Sequence, residues 1–341
     1  MAIIGCGLIG SKRAAAGGDA RLITCADLDL TRAEALAQTV QGASATIDWH
    51  AAISRADVEL VVVATTNEAL AEIATAAVRA GKHVMVEKPG ARSAQELDAL
   101  IAAARTTRRL VRVGFNHRYH PAVLKARELV DAGAVGELMF VRGRYGHGGR
   151  LGYEKEWRAD PARSGGGETI DQGVHLIDLS RWFLGDFTRV SGFAHTYFWR
   201  MPVDDNAFLL LRTATDRAAF LHVSCTEWKN LFSLEIYGRD GKLHIEGLGG
   251  SYGVERLAFY RMRPEMGPPD TTVWEYPQVD QSWSLELAEF LEDIRLDRTP
   301  SASLADARAA LSIVDDIQSQ SGYRFAPGDV RVASGRGSGM T

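Results

Sequence analysis

The chain has 341 residues, of which 46% are hydrophobic and 24% are charged, and its formal net charge is −4. This length favours two domains, and the composition is that of an ordinary globular protein. The mildly acidic balance gives no electrostatic reason to expect nucleic acid or an anionic membrane as a partner.

Hydropathy and cysteine usage bear on the compartment. No apolar run approaches the roughly 18 residues of a membrane span, and the start carries no recognisable secretory signal. Cys6, Cys25 and Cys225 show no paired spacing, and the first two lie in apolar runs as small core residues. We therefore expect a reducing compartment, by default the cytoplasm.

The first part of the chain alternates short apolar runs with helical stretches. The run at residues 60–64 is wholly apolar and mostly β-branched, as expected of a strand buried on both faces. Predicted strands lie at 2–4, 21–26, 60–64, 83–86 and 110–113, with helical stretches at 68–80 and 93–104. This alternation predicts a doubly wound parallel sheet of the Rossmann type over residues 1–117.

The pattern changes after about Asn116. Longer runs now alternate apolar and polar residues, which indicates a large, mainly antiparallel sheet with one covered face. Predicted strands lie at 138–145, 187–197, 206–213, 218–227, 232–237 and 242–246, and predicted helices at 121–132, 171–183, 284–296 and 304–318. We expect a second α/β domain over 118–329 and a disordered, Gly- and Ser-rich tail at 330–341.

A glycine-rich turn follows the first predicted strand and precedes a helix. Its glycines, Gly5, Gly7 and Gly10, have the spacing of the dinucleotide fingerprint, and Asp27 stands 17 residues after Gly10 at the end of the next strand. Such glycines also mark ordinary turns, but the context favours phosphate binding at the helix N-terminus. A carboxylate at Asp27 would bind ribose hydroxyls and repel the 2′-phosphate of NADP, so NAD is the favoured cofactor.

Two further motifs carry titratable groups. Lys88 lies just after a predicted strand, where open α/β sheets bind ligands, although a solvated surface lysine is an equally simple interpretation. Asp171 and His175 are four residues apart and would share a helix face, either as an acid–base pair or as a surface ion pair. His117 and His120 lack the companion ligands of a metal centre, so we expect no metal site.

These motifs together resemble the Gfo/Idh/MocA oxidoreductase family. The resemblance rests on the glycine fingerprint and on three later runs over roughly residues 2 to 325. The runs are Glu87-Lys88-Pro89, Gly114-Phe115-Asn116-His117-Arg118-Tyr119 and Asp171-x-Gly173-x-His175. It implies a Rossmann domain, a second domain whose open sheet forms a homodimer or homotetramer interface, and an NAD(P)-dependent dehydrogenase acting on a sugar, sugar nucleotide or cyclitol.

The resemblance also implies the site residues. Lys88, Asp171 and His175 match the family's catalytic positions: His175 would take the hydroxyl proton, Asp171 would orient His175 and favour its imidazolium form, and Lys88 would stabilise negative charge. The implied cofactor-binding residues are Gly5, Gly7, Leu8, Ile9, Gly10, Asp27, Thr65, Thr66, Asn67, Glu87, Lys88 and Asn116. The implied substrate-binding residues are Lys88, Arg118, Trp157, Arg158, Asp171 and His175.

One departure and two alternative functions accompany this assignment. Many relatives carry Thr-Pro and then a histidine where this chain has Thr65-Thr66-Asn67. A non-catalytic nucleotide-sensing regulator of the same fold would not need Lys88, Asp171 and His175 together. Glycoside hydrolysis through transient oxidation by tightly held NAD would use the same residues as a dehydrogenase.

Overall fold

The computed structural model describes residues 1–323. The predicted tail at 330–341 and the last residues of the predicted second domain lie outside the described residues. Among the helices of the described part, none is long and apolar enough to cross a membrane.

A six-stranded parallel sheet forms the first domain, as the alternation of runs predicts. Its strand order, β3-β2-β1-β4-β5-β6, reverses direction between β1 and β4, and such a switch point opens a crevice at the strand C-termini. The strands are β1 (Ala2–Ile4), β2 (Thr24–Ala26), β3 (Ser44–Thr46), β4 (Leu60–Val63), β5 (His83–Glu87) and β6 (Val111–Gly114). The helices are α1 (Leu8–Ala15), α2 (Leu30–Ala37), α3 (Trp49–Ser54), α4 (Asn67–Arg79) and α5 (Asp98–Thr107).

An eight-stranded sheet in the order β14-β13-β12-β11-β7-β10-β9-β8 forms the second domain. Every neighbouring pair is antiparallel except β7 and β10, which run parallel. The strands are β7 (Leu138–Gly146), β8 (Phe187–His195), β9 (Asn206–Thr213), β10 (Ala218–Ser224), β11 (Leu231–Gly238), β12 (Gly241–Glu246), β13 (Glu255–Arg261) and β14 (Asp270–Tyr276). The mainly antiparallel prediction is therefore confirmed.

Helices cover one face of this sheet. They are α6 (Pro121–Asp131), α8 (Glu168–Asp171), α9 (Gly173–Leu184) and α11 (Leu304–Gln320). Two further helices pack on elements of the first domain: α7 (Pro161–Ser164) contacts α4, and α10 (Ser282–Leu296) contacts α1. The helix predicted at 171–183 is confirmed as α9, although α9 begins two residues later because the chain turns at Gln172 between α8 and α9. α9 packs against β7, where Gly143 leaves room for the side chain of Leu176.

The helix α10 crosses from the second domain to the first. Leu287 and Phe290 are fully buried in one cluster with Ile3 and Met85 of the parallel sheet. A domain boundary between residues 117 and 118 separates the two sheets. The hydrophobic core of the first domain nevertheless includes α10, which belongs to the predicted second domain.

Buried ion pairs hold α10 in place. Arg13 of α1 pairs with Glu286 at 2.6 Å and also with Glu87, and Arg112 of β6 pairs with Asp293 at 2.6 Å. Such buried charges are tolerated only when each one keeps its partner. The contacts therefore fix α10, and the segment that leads into it, against the nucleotide-binding half of the molecule.

Arg118 is a structural residue, which corrects its predicted contact with substrate. Its guanidinium forms a bidentate ion pair with Asp178 on α9, with 2.7 Å between Nε and Oδ2, and the side chain is 5% exposed. Arg181, on the same helix as Asp178, pairs with Asp186 and Asp306.

The Arg118 pair generates a stability prediction. Arg118→Met strands the buried Asp178 carboxylate and should lower the free energy of unfolding by about 3–5 kcal/mol, measured by denaturant titration. The control Arg308→Met breaks an ion pair that is about half exposed on both sides, and should cost at most about 1 kcal/mol. Unchanged stability with a raised KM for substrate would restore the original assignment.

The placement of α10 generates a second prediction. Phe290→Ala opens a cavity in the first core and should lower the free energy of unfolding by about 3–5 kcal/mol. Leu296→Ala, on the exposed end of the same helix, should change it by no more than about 0.5 kcal/mol. In Phe290→Ala, the backbone amides of β1 and β4 should lose protection from hydrogen exchange. Loss of protection only in the second sheet would contradict this packing.

Candidate active site

A cleft of about 430 Å³ lies between the two domains, at the C-terminal ends of the parallel strands. Its first wall comes from α1 and from the ends of β4 and β5, and its second wall from α8, α9 and the loops of the larger sheet. The lining includes Ile9, Lys12, Ala64, Thr65, Asn67, Glu87, Lys88, Asn116, His117, His120, Tyr145, Trp157, Arg158, Asp171, Gln172, His175, Tyr252 and Trp283.

The glycine turn leaves the backbone at the rim of the cleft open. Gly5 has φ +92°, and a Cβ there would lie 2.5 Å from the carbonyl oxygen of Ala64. A Cβ on Gly10 would meet the Gly5 carbonyl oxygen at 1.9 Å, so both positions require close backbone approach. At Gly7 nothing lies within 4 Å of the Cβ position, and α1 begins at the next residue. This is the arrangement that admits a pyrophosphate to a helix N-terminus.

Asp27 is held beside the turn by two backbone amides. Its Oδ2 accepts from the N–H of Cys6 at 2.7 Å, and its Oδ1 accepts from the N–H of Asp29 at 2.9 Å. The carboxylate therefore has a fixed position at the end of β2, where an adenosine ribose would lie in a dinucleotide bound at this turn. Together with the open Gly7 backbone, this fits a nicotinamide dinucleotide.

The predicted cofactor residues divide into two groups. Ile9, Thr65, Asn67, Glu87, Lys88 and Asn116 line the cleft, whereas Gly5, Gly7, Leu8, Gly10, Asp27 and Thr66 lie beside it. Three of these side chains bind protein groups outside the cleft chemistry: Asn67 donates to the Ser164 carbonyl, Asn116 donates to the Ser282 hydroxyl, and Glu87 accepts from Arg13. Lys88 and the Thr65 hydroxyl also have partners within the protein.

Lys88 and Asp171 form an ion pair across the cleft. The Lys88 Nζ lies 2.5 Å from Asp171 Oδ1 and 2.7 Å from the Asp171 carbonyl oxygen, and Arg158 Nε donates to Oδ2 at 3.0 Å. Burial opposes ionisation of Asp171, but the charges of Lys88 and Arg158 hold the pKa of its carboxyl below the usual range. The aspartate is therefore a fixed negative charge between two cations.

His175 forms no hydrogen bond with Asp171 in the described part of the chain, which corrects the predicted acid–base pair. Asp171 Oδ1 accepts from Lys88 and its Oδ2 accepts from Arg158. Burial, reinforced by the nearby charge of Lys88, lowers the pKa of His175 well below its usual value. The prediction that Asp171 favours the imidazolium form is therefore wrong, and His175 is a neutral ring at neutral pH.

The ring of His175 stacks on His117, with 3.7 Å between ring centroids and 21° between planes. His117 shares hydrogen bonds with Asn116 Oδ1 at 3.2 Å and with the Tyr145 hydroxyl at 3.1 Å. In contrast, the buried Nδ1 of His175 has no hydrogen-bond partner in the described part of the chain. The stack therefore orients His175 by ring contact and not by a carboxylate.

Several lining residues are not predicted from the sequence. His117, His120, Tyr145, Tyr252 and Trp283 come from four separate segments, and no single local motif joins them. His120 binds Glu255 at 2.9 Å. Within residues 1–323 no group of three or more His, Cys, Asp or Glu side chains could hold a metal ion.

The glycines before α8 do not line the cleft. A Cβ on Gly167 would lie 1.8 Å from the Asp204 carbonyl oxygen, and one on Gly165 would meet Arg92 at 2.6 Å. These glycines permit close packing behind α8. Trp157 and Arg158, which precede them, do line the cleft as predicted.

Comparisons with known proteins agree with this architecture. Residues 1–115 match the oxidoreductase family with an NAD-binding Rossmann fold, and residues 123–244 match the GFO/IDH/MocA C-terminal domain. A levoglucosan dehydrogenase of Pseudarthrobacter phenanthrenivorans is 28% identical over 59% of this chain and 58% of its own length. Inositol 2-dehydrogenase 2 of Saccharopolyspora erythraea is 34% identical over 62% of each chain.

Other relatives cover nearly the whole chain. An inositol 2-dehydrogenase of Rhizobium meliloti is 25% identical over 92% of this chain and 94% of its own. A levoglucosan dehydrogenase solved with NADH and L-sorbose superposes with a TM-score of 0.83 at 24% identity, over 94% of this chain and 96% of that one. The matches of both domains and the common fold lead to one conclusion: the chain belongs to the Gfo/Idh/MocA family of NAD-binding oxidoreductases.

Proposed function

We propose that this oxidoreductase interconverts a secondary alcohol and a ketone on a sugar, a sugar nucleotide or a cyclitol, with NAD as the preferred cofactor. The observation that carries the proposal is the Lys88–Asp171 ion pair beside a neutral His175, in a cleft whose other wall carries the dinucleotide turn. Relatives that are named for inositol and levoglucosan support a polyhydroxylated substrate.

Lys88 is proposed to bind the reacting oxygen. Nicotinamide cofactors, when bound, exchange a hydride with a carbinol or carbonyl carbon. The Lys88 ammonium carries three donors, and two of them reach Asp171, which leaves one for a substrate oxygen. A cation at this position stabilises the negative charge that develops on that oxygen. Asp171 and Arg158 keep the ammonium in place.

His175 is proposed as the proton acceptor in the oxidising direction. The burial that lowers its pKa keeps the ring neutral, and only the neutral ring can accept a proton from a hydroxyl. Its stack on His117 holds the ring in one orientation. Trp157 and Arg158 are proposed to form the wall of the cleft at the end that binds the sugar, because an indole face and polar groups suit a polyol.

The position of Asp27 supports NAD over NADP. Its carboxylate is fixed by the Cys6 and Asp29 amides, so a 2′-phosphate at the same place would meet a negative charge that cannot turn away. The three cysteines are free and buried, which supports a cytoplasmic location as part of the proposal. The net charge of −4 supports the absence of a nucleic-acid partner.

The activity is tested by screening cyclitols, free sugars and sugar nucleotides with NAD and NADP separately, following the absorbance of the reduced nicotinamide. We expect turnover with NAD and weaker turnover with NADP. Lys88→Met and His175→Ala should each lower kcat/KM by roughly 10²–10⁴ while NADH binding persists.

Two variants outside the cleft serve as controls for this test. Lys125→Met and His244→Ala should keep wild-type kcat/KM. Wild-type rates in Lys88→Met or His175→Ala would contradict the assigned roles. Release of free sugar from an aryl glycoside without net NADH would favour hydrolysis through transient oxidation, and NAD binding without turnover on any substrate would favour a regulator.

We further propose that the open face of the larger sheet joins subunits into a homodimer or homotetramer. Phe193, Leu210 and Phe220 lie on three neighbouring strands, and each is about half exposed. Phe140 stacks on Tyr237 across β7 and β11, on two further strands of the same sheet. Exposed apolar side chains on five strands of one sheet, with the Arg142–Glu235 ion pair among them, favour an interaction surface.

The assembly is tested by light scattering after size exclusion. The wild type should be a dimer or tetramer, and Phe220→Glu should reduce its mass because a charge is placed within the apolar face. Leu151→Glu, at a fully exposed loop position away from the sheet, should leave the mass unchanged. A wild-type monomer at every concentration would contradict the proposed interface.

A further inference from the structure

We propose that Lys12 and Trp283 form a cofactor-phosphate contact that spans the two domains. The Lys12 ammonium binds the phosphate oxygens of the dinucleotide, and Trp283 holds the Lys12 side chain over the cleft. This inference rests on the proposed NAD-dependent function and adds two residues that the fingerprint motif does not include.

Lys12 lies on the cleft face of α1. Ile9 and Lys12 are three residues apart on this helix, and both line the cleft. The helical rise places Lys12 about 7.5 Å from Gly7 along the helix axis. Side chains on a helix lean toward its N-terminus, so the Lys12 ammonium is carried back toward the glycine turn. The ammonium is therefore directed to the place where phosphates meet the helix N-terminus.

Lys12 also has no counterion in the part of the chain that the structure describes. Within residues 1–323 it forms neither a salt bridge nor a side-chain hydrogen bond, whereas its neighbour Arg13 is paired with both Glu87 and Glu286. Lys88, the other lysine of the lining, is paired with Asp171. Of the two lysines that line this cleft, Lys12 is therefore the one available to bind an anionic ligand. The pyrophosphate of a dinucleotide is such an anion.

Trp283 supplies the surface on which Lys12 rests. The Lys12 Nζ lies 5.2 Å from the ring centroid of Trp283, within the range of a cation–π interaction. The indole is itself fixed, because its Nε1 donates to Asp280 Oδ2 at 3.1 Å and the Arg13 guanidinium packs on it at 4.5 Å. Glu286, three residues further along α10, binds the same Arg13.

These contacts give Trp283 a positioning role. α10 belongs to the second half of the chain, yet the Arg13–Glu286 pair locks its first turns against α1. Trp283 therefore keeps the flexible Lys12 side chain near the phosphate path, and less conformational entropy is lost when the ligand binds. The second half of the chain thereby takes part in binding the phosphates, through a residue remote in sequence from the glycine turn.

The proposal is tested by calorimetric titration with NADH, ADP-ribose and adenosine. Lys12→Met should raise the Kd of NADH and ADP-ribose about tenfold and that of adenosine less than about twofold, because only the first two carry the pyrophosphate. Trp283→Leu should raise the Kd of ADP-ribose by a smaller factor. Trp283→Phe, which keeps an aromatic ring under Lys12, should recover most of the lost affinity. The salt dependence of ADP-ribose binding should also be shallower in Lys12→Met.

A matched pair outside the cleft provides the control. Lys125 lies 5.6 Å from the ring centroid of Trp274 in the second domain. Lys125→Met and Trp274→Leu should leave the Kd of ADP-ribose unchanged. Wild-type affinity for ADP-ribose in Lys12→Met would overturn the proposal. An equal loss of affinity for adenosine, or a change only in the KM of the sugar, would overturn it as well. A wild type that binds NADH but oxidises no polyol would instead overturn the proposed function and leave this inference standing.

Discussion

The chemistry of the cleft depends on the ion pair between Lys88 and Asp171. Lys88 follows the last residue of β5 in the parallel sheet, and Asp171 ends the short helix α8 of the other domain. The pair therefore joins the two domains and places a cation at the centre of the site. Arg158 adds a second cation on the other oxygen of Asp171, while burial and the nearby charge of Lys88 lower the pKa of His175.

The fold could largely be predicted because its strongest signals are local. The run at Leu60–Val63 and the turn after Ile4 have the patterns of a buried parallel strand and a phosphate-binding turn. The strands β3 (Ser44–Thr46) and β14 (Asp270–Tyr276) were beyond prediction, because they are edge strands with little burial and thus no hydrophobic periodicity. The amphipathic pattern of α10 indicates that one face of the helix is buried, but it does not indicate that this face packs on the first domain.

The site could be predicted only where one segment carries it. The family motifs identify Lys88, Asp171 and His175, and the structure brings all three into one cleft. Their mutual contacts were not predictable: the spacing suggested that Asp171 contacts His175, but Lys88 and Arg158 bind the two oxygens of Asp171 instead. The same limit applies to Arg118, whose role depends on a buried partner 60 residues away.

The most direct test of this account is a double-mutant cycle on Lys88 and Asp171, with kcat/KM measured for Lys88→Met, Asp171→Asn and the double variant. If the two charges act as one unit across the cleft, the double variant should be about as impaired as the worse single variant. Losses that multiply would show that Lys88 and Asp171 act independently, and would contradict the central role of the pair.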